Sequence, residues 1–422
     1  PAITAAAITD AHRQWGLRQE ARAGVRQPHA NRADPDRPLR IGYVSGDFCV
    51  HPVGYFLAQV LEAHDRSTVQ AICYANGTRI DDMTRRLQAA ASGWREIAGL
   101  DDAQAEALIR ADGIDILVDL SGHTARNRLA LAGRRPAPVQ ASWLGYVAST
   151  GLPAIDYLIT DLDTVPMGSE ALFTETLVRL PHGRFCYAPP AAPTPTASAA
   201  RPITFGSFND LLKINDQVIS TWAKVLQAAP GSQLRLKWSA LDDAGVRERV
   251  LRAFAGHGIE AERIELSGHS PHAAMLAEYG EIDVALDPFP FCGGLTTCEA
   301  MWMGVPVVTW PGDRPASRQS LAMLKVLGLS ELAASSEDDY VSIAAGLARD
   351  PARLQALKGG LRERMSASPL CRGELFTPTL EAAFRGMWRR WCAGEPPAAF
   401  DVPWPVSSLP PQGGGIEGGG PH

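Results

Sequence analysis

The stretch DVALDPFPFCGGLTTCEAMWMGVPVVTW (283–310) decides the fold. DVALD (283–287) is a short apolar run ending on an acid, as a buried strand does. Gly293 and Gly294 make a turn, Leu295, Thr296 and Thr297 open a helix, and PVVTW (306–310) is the next strand. Strand, glycine turn, helix and strand together form one unit of a parallel α/β sheet. Paired glycines let phosphates approach the backbone, and a helix start adds free N–H groups and partial positive charge. Thr296 and Thr297 add hydroxyl donors there, Gly294 leaves room, and Glu299 in the first turn has a carboxylate suited to ribose hydroxyls. The competing reading is an ordinary helix cap with a buried Glu.

The alternation continues in both directions. ITFGSF (203–208), QLRLKW (233–238) and IELSG (264–268) read as strands between helices at 215–228, 243–256 and 270–279. LRIGYV (39–44), VQAICY (69–74), DILVDL (115–120), PVQASWL (138–144) and DYLIT (156–160) form an earlier set, with helices at 52–64, 80–92 and 101–112. APPAAPTPTASAARP (188–202) separates the sets and reads as a linker. Residues 2–23 read as an amphipathic helix whose apolar side is Ile3, Ile8, Trp15 and Leu17, and which must pack on something larger. Helices at 315–327, 337–349, 351–365 and 376–393 precede a Pro- and Gly-rich tail that reads as disordered. The expected organisation is therefore 1–37 helix and linker, 38–187 first Rossmann-like domain, 188–202 linker, 203–375 second Rossmann-like domain, 376–394 terminal helix, and 395–422 tail. Two doubly wound sheets face a cleft, and ligands bind such sheets at the carboxyl ends of the strands.

Composition is that of a globular protein: 422 residues, 45% hydrophobic, 20% charged. Lys plus Arg is 40 against 46 for Asp plus Glu, a net charge of −6, so no basic excess points to nucleic acid. No apolar run is long enough to span a membrane. The seven cysteines include no CxxC pair, which fits reduced thiols in the cytoplasm rather than a disulfide framework or structural zinc. There is no signal peptide at the start, which opens at Pro1.

Further candidates follow other strands. FGSFNDLLKIND (205–216) places Lys213, with Asp210 ahead of it, where a lysine neutralises a diphosphate. SGDFCVHPVGYF (45–56) puts His51 before a proline suited to a first helical turn. VDLSGHTARNR (118–128) brings Asp119, His123 and Thr124 to the loop after another strand. Two histidines after two strands of one sheet are suited to act on a proton or a sugar hydroxyl. Asp161-Leu162-Asp163 has the Asp-x-Asp form of a divalent-metal site, but a solvated turn is the preferred reading. His269 and His272 are three apart with no third ligand evident. There is no GxGxxG, GxxxxGK[ST] or GxSxG motif.

Together GYVSGDFCVHPVGYF, LVDLSGHT, RPAPVQASWLGYVASTG, DYLITD, FGSFNDLLKIN and 286–318 resemble the O-linked N-acetylglucosamine transferase and SPINDLY family, in order over about residues 38–394. The resemblance implies the GT-B architecture, with a nucleotide-sugar between two Rossmann-like domains and a last helix crossing back to the first. It also implies inverting, metal-independent transfer of a sugar to Ser or Thr hydroxyls of proteins. The nucleotide-sugar is then a substrate, not a cofactor, and UDP a product. On this likeness Lys213 holds the diphosphate, Thr296 and Thr297 the phosphates, and Glu299 the ribose. His51 lies near the sugar, Leu144 and Gly145 line the sugar pocket, and His272 joins the donor-binding set. His123 matches a position that is not His in every branch. The helix at 2–23 is similar to the end of a tetratricopeptide array, though no repeat period is visible. Leu295 stands where animal enzymes place a His that stacks on uracil, and Asp210 where they have Gln, so the donor is either UDP-GlcNAc or, as in SPINDLY proteins, GDP-fucose. A nucleotide-sugar-binding scaffold without turnover is the non-enzymatic alternative. A thermal-shift screen with UDP, GDP, UDP-GlcNAc and GDP-fucose separates the donors: the correct ligand at about 100 times its Kd is expected to stabilise the chain by about 2.7 kcal/mol, the wrong ones by none.

Overall fold

The computed structural model of the protein describes residues 3–192 and 201–404. The chain opens with α1 (Ala5–Arg22) and continues through β1 (Leu39–Ser45), α2 (Pro52–Ala63), β2 (Val69–Ala75), α3 (Asp82–Ala90), β3 (Gly93–Glu96) and α4 (Asp102–Ala111). β4 (Ile116–Asp119), α5 (Leu129–Gly133), β5 (Val139–Ser142), β6 (Tyr157–Asp161) and β7 (Thr176–Leu180) complete the first half. The second half holds β8 (Thr204–Ser207), α6 (Asp216–Ala228), β9 (Gln233–Lys237), α7 (Ala244–Ala255), β10 (Ile264–Ser267), α8 (His272–Glu278), β11 (Val284–Leu286), α9 (Leu295–Trp302), β12 (Val307–Val308) and α10 (Gln319–Val326). α11 (Glu337–Arg349), α12 (Pro351–Ala367), α13 (Gly373–Cys392) and β13 (Phe400–Asp401) follow.

Strand order is 3-2-1-4-5-6-7-13 in the first sheet and 10-9-8-11-12 in the second, with every pairing parallel. Both orders reverse direction beside their first strand, between β1 and β4 and between β8 and β11. Those two points are where a doubly wound sheet opens a crevice. The strands are buried on both faces, which is why they read as continuous apolar runs.

α13 returns to the first half. Gly373 N–H donates to Gln59 Oε1 of α2 at 2.9 Å, Glu381 accepts from His64 and from the Asp65 N–H, and Phe376 stacks on Trp143. The helix begins at Gly373, three residues before the expected start. The expected linker largely overlaps residues outside the described ones, but its first residue is not linker-like: Ala188 is buried and donates to the Tyr55 carbonyl.

Two expectations need correction. The tail does not become irregular at 395. β13 adds to the open edge of β7, Val402 is buried, and its N–H reaches the Arg179 carbonyl at 2.9 Å. An unpaired strand edge supplied the order that Pro-rich composition concealed; residues 405–422 lie outside the described ones. α1 docks through only part of the apolar side expected of it: Trp15 packs on the buried cluster of Leu129, Leu152 and Ile155, whereas Ile3 and Leu17 are 65% and 61% exposed. Its buried positions are Thr9 and Gly16. Thr9 Oγ1 and the Arg13 guanidinium donate to the Leu172 and Ala171 carbonyls, and Gly16 meets Gly151 backbone to backbone, where a Cβ on either would overlap the other chain segment.

Trp388 of α13 is fully buried, donates from Nε1 to the Asp34 carbonyl at 2.9 Å, and carries the Arg37 guanidinium on its face. Trp388→Ala is expected to cost about 3–5 kcal/mol, read as a lower denaturation midpoint at unchanged slope.

Candidate active site

Most of the sequence candidates come from four loops, those after β1, β4, β8 and β11, which flank the two reversal points; Leu144 and Gly145 follow β5 and His272 follows β10. In the second half the loop after β11 is organised by a buried acid. Asp287 Oδ1 accepts from the Gly293 N–H at 2.6 Å and Oδ2 from Thr309 Oγ1 at 2.7 Å. Burial pushes this carboxyl above its ordinary value, and Lys213 nearby pulls against that. A Cβ at Gly293 would overlap Thr297 Oγ1 and crowd Asp287 Oδ1 and Thr296 Oγ1 at 3.0 Å, so the turn accepts only glycine. Gly294 caps α9 with no side-chain bond, leaving backbone N–H groups at the helix start for a ligand.

Lys213 and Thr296 meet on Asn209, 87 residues from Thr296 in the chain. Asn209 Oδ1 accepts from Thr296 Oγ1 at 2.9 Å and from Lys213 Nζ at 3.4 Å. Lys213 Nζ also donates to the Cys292 carbonyl at 2.9 Å and lies 4.6 Å from the centre of the Phe291 ring. Burial lowers its pKa, with the Asp287 carboxylate opposing. Thr296 is half-buried, whereas Thr297 is buried and pairs with Ser320 Oγ at 2.9 Å, turned inward under the glycine turn. Asp210 caps the short 3-10 turn that carries Lys213, accepting from the Leu212 N–H.

Glu299 is not open to solvent; its side chain is 3% exposed. Oε1 lies 2.6 Å from His272 Nε2, and His272 Nδ1 lies 3.1 Å from the Tyr55 hydroxyl of the first half. Burial raises the Glu299 pKa and His272 opposes the shift.

In the first half His51 caps α2, its Nδ1 accepting from the Val53 N–H at 3.3 Å and lying 3.9 Å from Asp47 Oδ2. Its ring is 41% exposed. Burial lowers its pKa below the usual value despite Asp47, so the ring is neutral at pH 7. Asp119 is buried and accepts from the Ser121 and Gly122 N–H groups and from Ser142 Oγ; burial pushes it up to about 6. It shapes its loop, and Thr124 closes the same turn on the Ser121 carbonyl. His123 is engaged elsewhere than with His51. Its Nε2 donates to the Thr150 carbonyl at 2.7 Å, and its ring stacks on His12 and meets Trp15 edge-on, both from α1. Leu144 holds a left-handed φ of 76°, and its carbonyl accepts from the buried Arg184 at 2.9 Å. Gly145 crosses so close to Leu120 that any Cβ would overlap the carbonyl.

Asp161 accepts from the N–H and hydroxyl of Thr164, while Asp163 pairs with Lys325 of α10. The two carboxylates thus serve different partners. No group of three or more metal-ligating side chains occurs among the described residues.

Asn209, Tyr55 and Arg184 carry no signature of their own in the sequence. Asn209 sits four residues before Lys213, the nearest thing to a signal; Arg184 follows no motif, and Tyr55 looks like one more apolar residue of α2. Gly293→Ala is expected to disorder the turn and weaken nucleoside-diphosphate binding by tenfold or more, about 1.4 kcal/mol, as measured calorimetrically.

The family model for glycosyl transferase family 41 matches residues 11–188 and 198–380. A barley (Hordeum vulgare) protein named "Probable UDP-N-acetylglucosamine--peptide N-acetylglucosaminyltransferase SPINDLY" is 42% identical over 93% of this chain and 42% of its own length. The Arabidopsis thaliana protein of the same name is 40% identical over 93% of this chain and 44% of its own. This chain therefore spans less than half the length of these relatives. A mutant of the Thermobaculum terrenum O-GlcNAc transferase superposes with a TM-score of 0.88 at 42% identity, covering 93% of this chain and 75% of that one. Sucrose-phosphate synthase of Thermosynechococcus elongatus, 14% identical, shares the fold at a TM-score of 0.56 over 83% of this chain and 99% of its own. With two parallel sheets, their reversal points carrying the site loops, the fold is GT-B, and the chain belongs to glycosyl transferase family 41.

Proposed function

We propose that this chain moves a sugar from a nucleotide donor to Ser or Thr hydroxyls of proteins, inverting the anomeric carbon and needing no metal. The observation that carries this reading is the grouping of Lys213, Asn209, Thr296 and the uncapped start of α9 into one polar cradle. The acceptor oxygen bonds to the anomeric carbon while the bond to the diphosphate breaks, and the nucleoside diphosphate leaves with the negative charge. That growing charge is the main electrostatic problem. A lysine ammonium and helix N–H groups answer it in a partly desolvated setting, and the Asp161 and Asp163 carboxylates already have protein partners.

The acceptor must also lose its proton. Asp119 and His123 are engaged in holding loops and α1, which leaves His51 as the first candidate. A base at His51 Nε2 requires its proton on Nδ1. Here Nδ1 instead accepts from the Val53 N–H at 3.3 Å, so acting as a base requires the ring to give up that cap and turn an Nδ1 proton toward Asp47 Oδ2, now 3.9 Å away. UDP-GlcNAc is the first choice of donor, in keeping with the names of the relatives. Leu295 at the start of α9 favours GDP-fucose as the second, because it offers no aromatic face to a uracil.

Lys213→Ala tests the reading. Its kcat, measured as release of nucleoside diphosphate with a peptide acceptor in excess EDTA, is expected to fall about 10²–10³-fold below wild type. Turnover close to wild type in Lys213→Ala, or loss of wild-type activity in EDTA, would refute the proposed chemistry.

A further inference from the structure

Two helices carry the site, one from each half. α2 begins beside His51 and presents Tyr55 one turn later; α9 begins at the glycine turn and presents Glu299 one turn later. His272, the first residue of α8, lies between them. A carboxylate only accepts hydrogen bonds, so His272 Nε2 is the donor to Glu299 across 2.6 Å. In the neutral ring Nδ1 is then an acceptor and takes a hydrogen bond from the Tyr55 hydroxyl across 3.1 Å. With the ring neutral the two bonds run one way: Tyr55 O–H to Nδ1, Nε2–H to Oε1.

Tyr187, Tyr279 and Cys298 are buried around Glu299 and present no opposing cation. Burial, with Glu299 beside it, pushes the Tyr55 hydroxyl up to about 12, so it keeps its proton; Asp81 and Arg79 face it with opposite signs. The halves are tied independently where Asp163 meets Lys325 and Arg318, so loss of the Tyr55 bond leaves the fold standing.

We infer that Tyr55, His272 and Glu299 form a latch across the cleft, and that Tyr55 and His272 are positioning residues that set the start of α2, with His51, against the phosphate cradle of α9. The kinetic part of this inference rests on the transfer reaction proposed above. The latch fixes alignment between halves, whereas the diphosphate cradle lies wholly in the second half, and the two contributions separate experimentally.

Tyr55→Phe removes one hydroxyl. Turnover, read as release of UDP or GDP from UDP-GlcNAc or GDP-fucose with a Ser- and Thr-containing peptide, is expected to fall about 3- to 10-fold, the worth of one hydrogen bond. The Kd of UDP or GDP, measured calorimetrically, is expected to stay within about twofold. His272→Ala strips a buried carboxylate of its partner and is expected to weaken nucleotide binding about tenfold as well. His272→Gln, which keeps a donor toward Glu299, recovers that affinity without recovering turnover. Equal losses of turnover and affinity in Tyr55→Phe, or no loss in either, overturn the latch. If the wild-type chain transfers neither sugar, the transfer reading fails, and the latch is read from stability alone. The Tm losses of Tyr55→Phe and His272→Ala then combine in the double variant to less than their sum, because the two residues share one interaction. Fully additive losses overturn it.

Discussion

A buried carboxylate that must be satisfied governs the second half of this molecule. Asp287 ends β11 and has no solvent to ionise into, so it takes the Gly293 N–H and the Thr309 hydroxyl. Its backbone carbonyl is held as well, by the Tyr340 hydroxyl. Those bonds fold the chain back at the two glycines and start α9 where its first N–H groups have no intrahelical partner. Lys213 comes to the same place because its positive charge offsets the negative one beneath the turn. The ligand cradle is thus a by-product of how one acid at a strand end is neutralised.

The sheets were the most legible part of the sequence because both are parallel and covered on both faces, and such strands write themselves as unbroken apolar runs. The strands that escaped notice lack that signature. β3 (GWRE) is half-exposed, β7 (TLVRL) carries an inward arginine, and β13 is two residues long. Arg179 can lie inside because Glu170 and the Val165 carbonyl meet its guanidinium, a compensation spread over fifteen residues that no local pattern reveals. α1 was legible as a helix but not in its contacts. Besides Trp15 it docks by glycine, threonine and arginine, and hydrophobic periodicity has nothing to say about those polar contacts.

The site divides in the same way. Loops after strands could be named from sequence, and Lys213 and Thr296 do meet, through an asparagine that neither motif highlights. What could not be read was the orientation of side chains within those loops. Thr297 turns inward, His123 lies against α1, and Glu299 faces a histidine 27 residues earlier. Each outcome depends on a partner brought close by topology, and a linear motif holds no record of it.

The contact of Gly16 with Gly151 has a mechanical meaning. Where two backbones touch with no side chain between them, there is no cushion to absorb displacement. Gly151 follows Thr150, whose carbonyl grips His123 at the end of the β4 loop, and His12 of the same helix presses on that ring. Torque applied to α1 from its amino end would therefore travel as rigid leverage into the β4 loop, and the helix would act on the first half as a handle rather than as a tether.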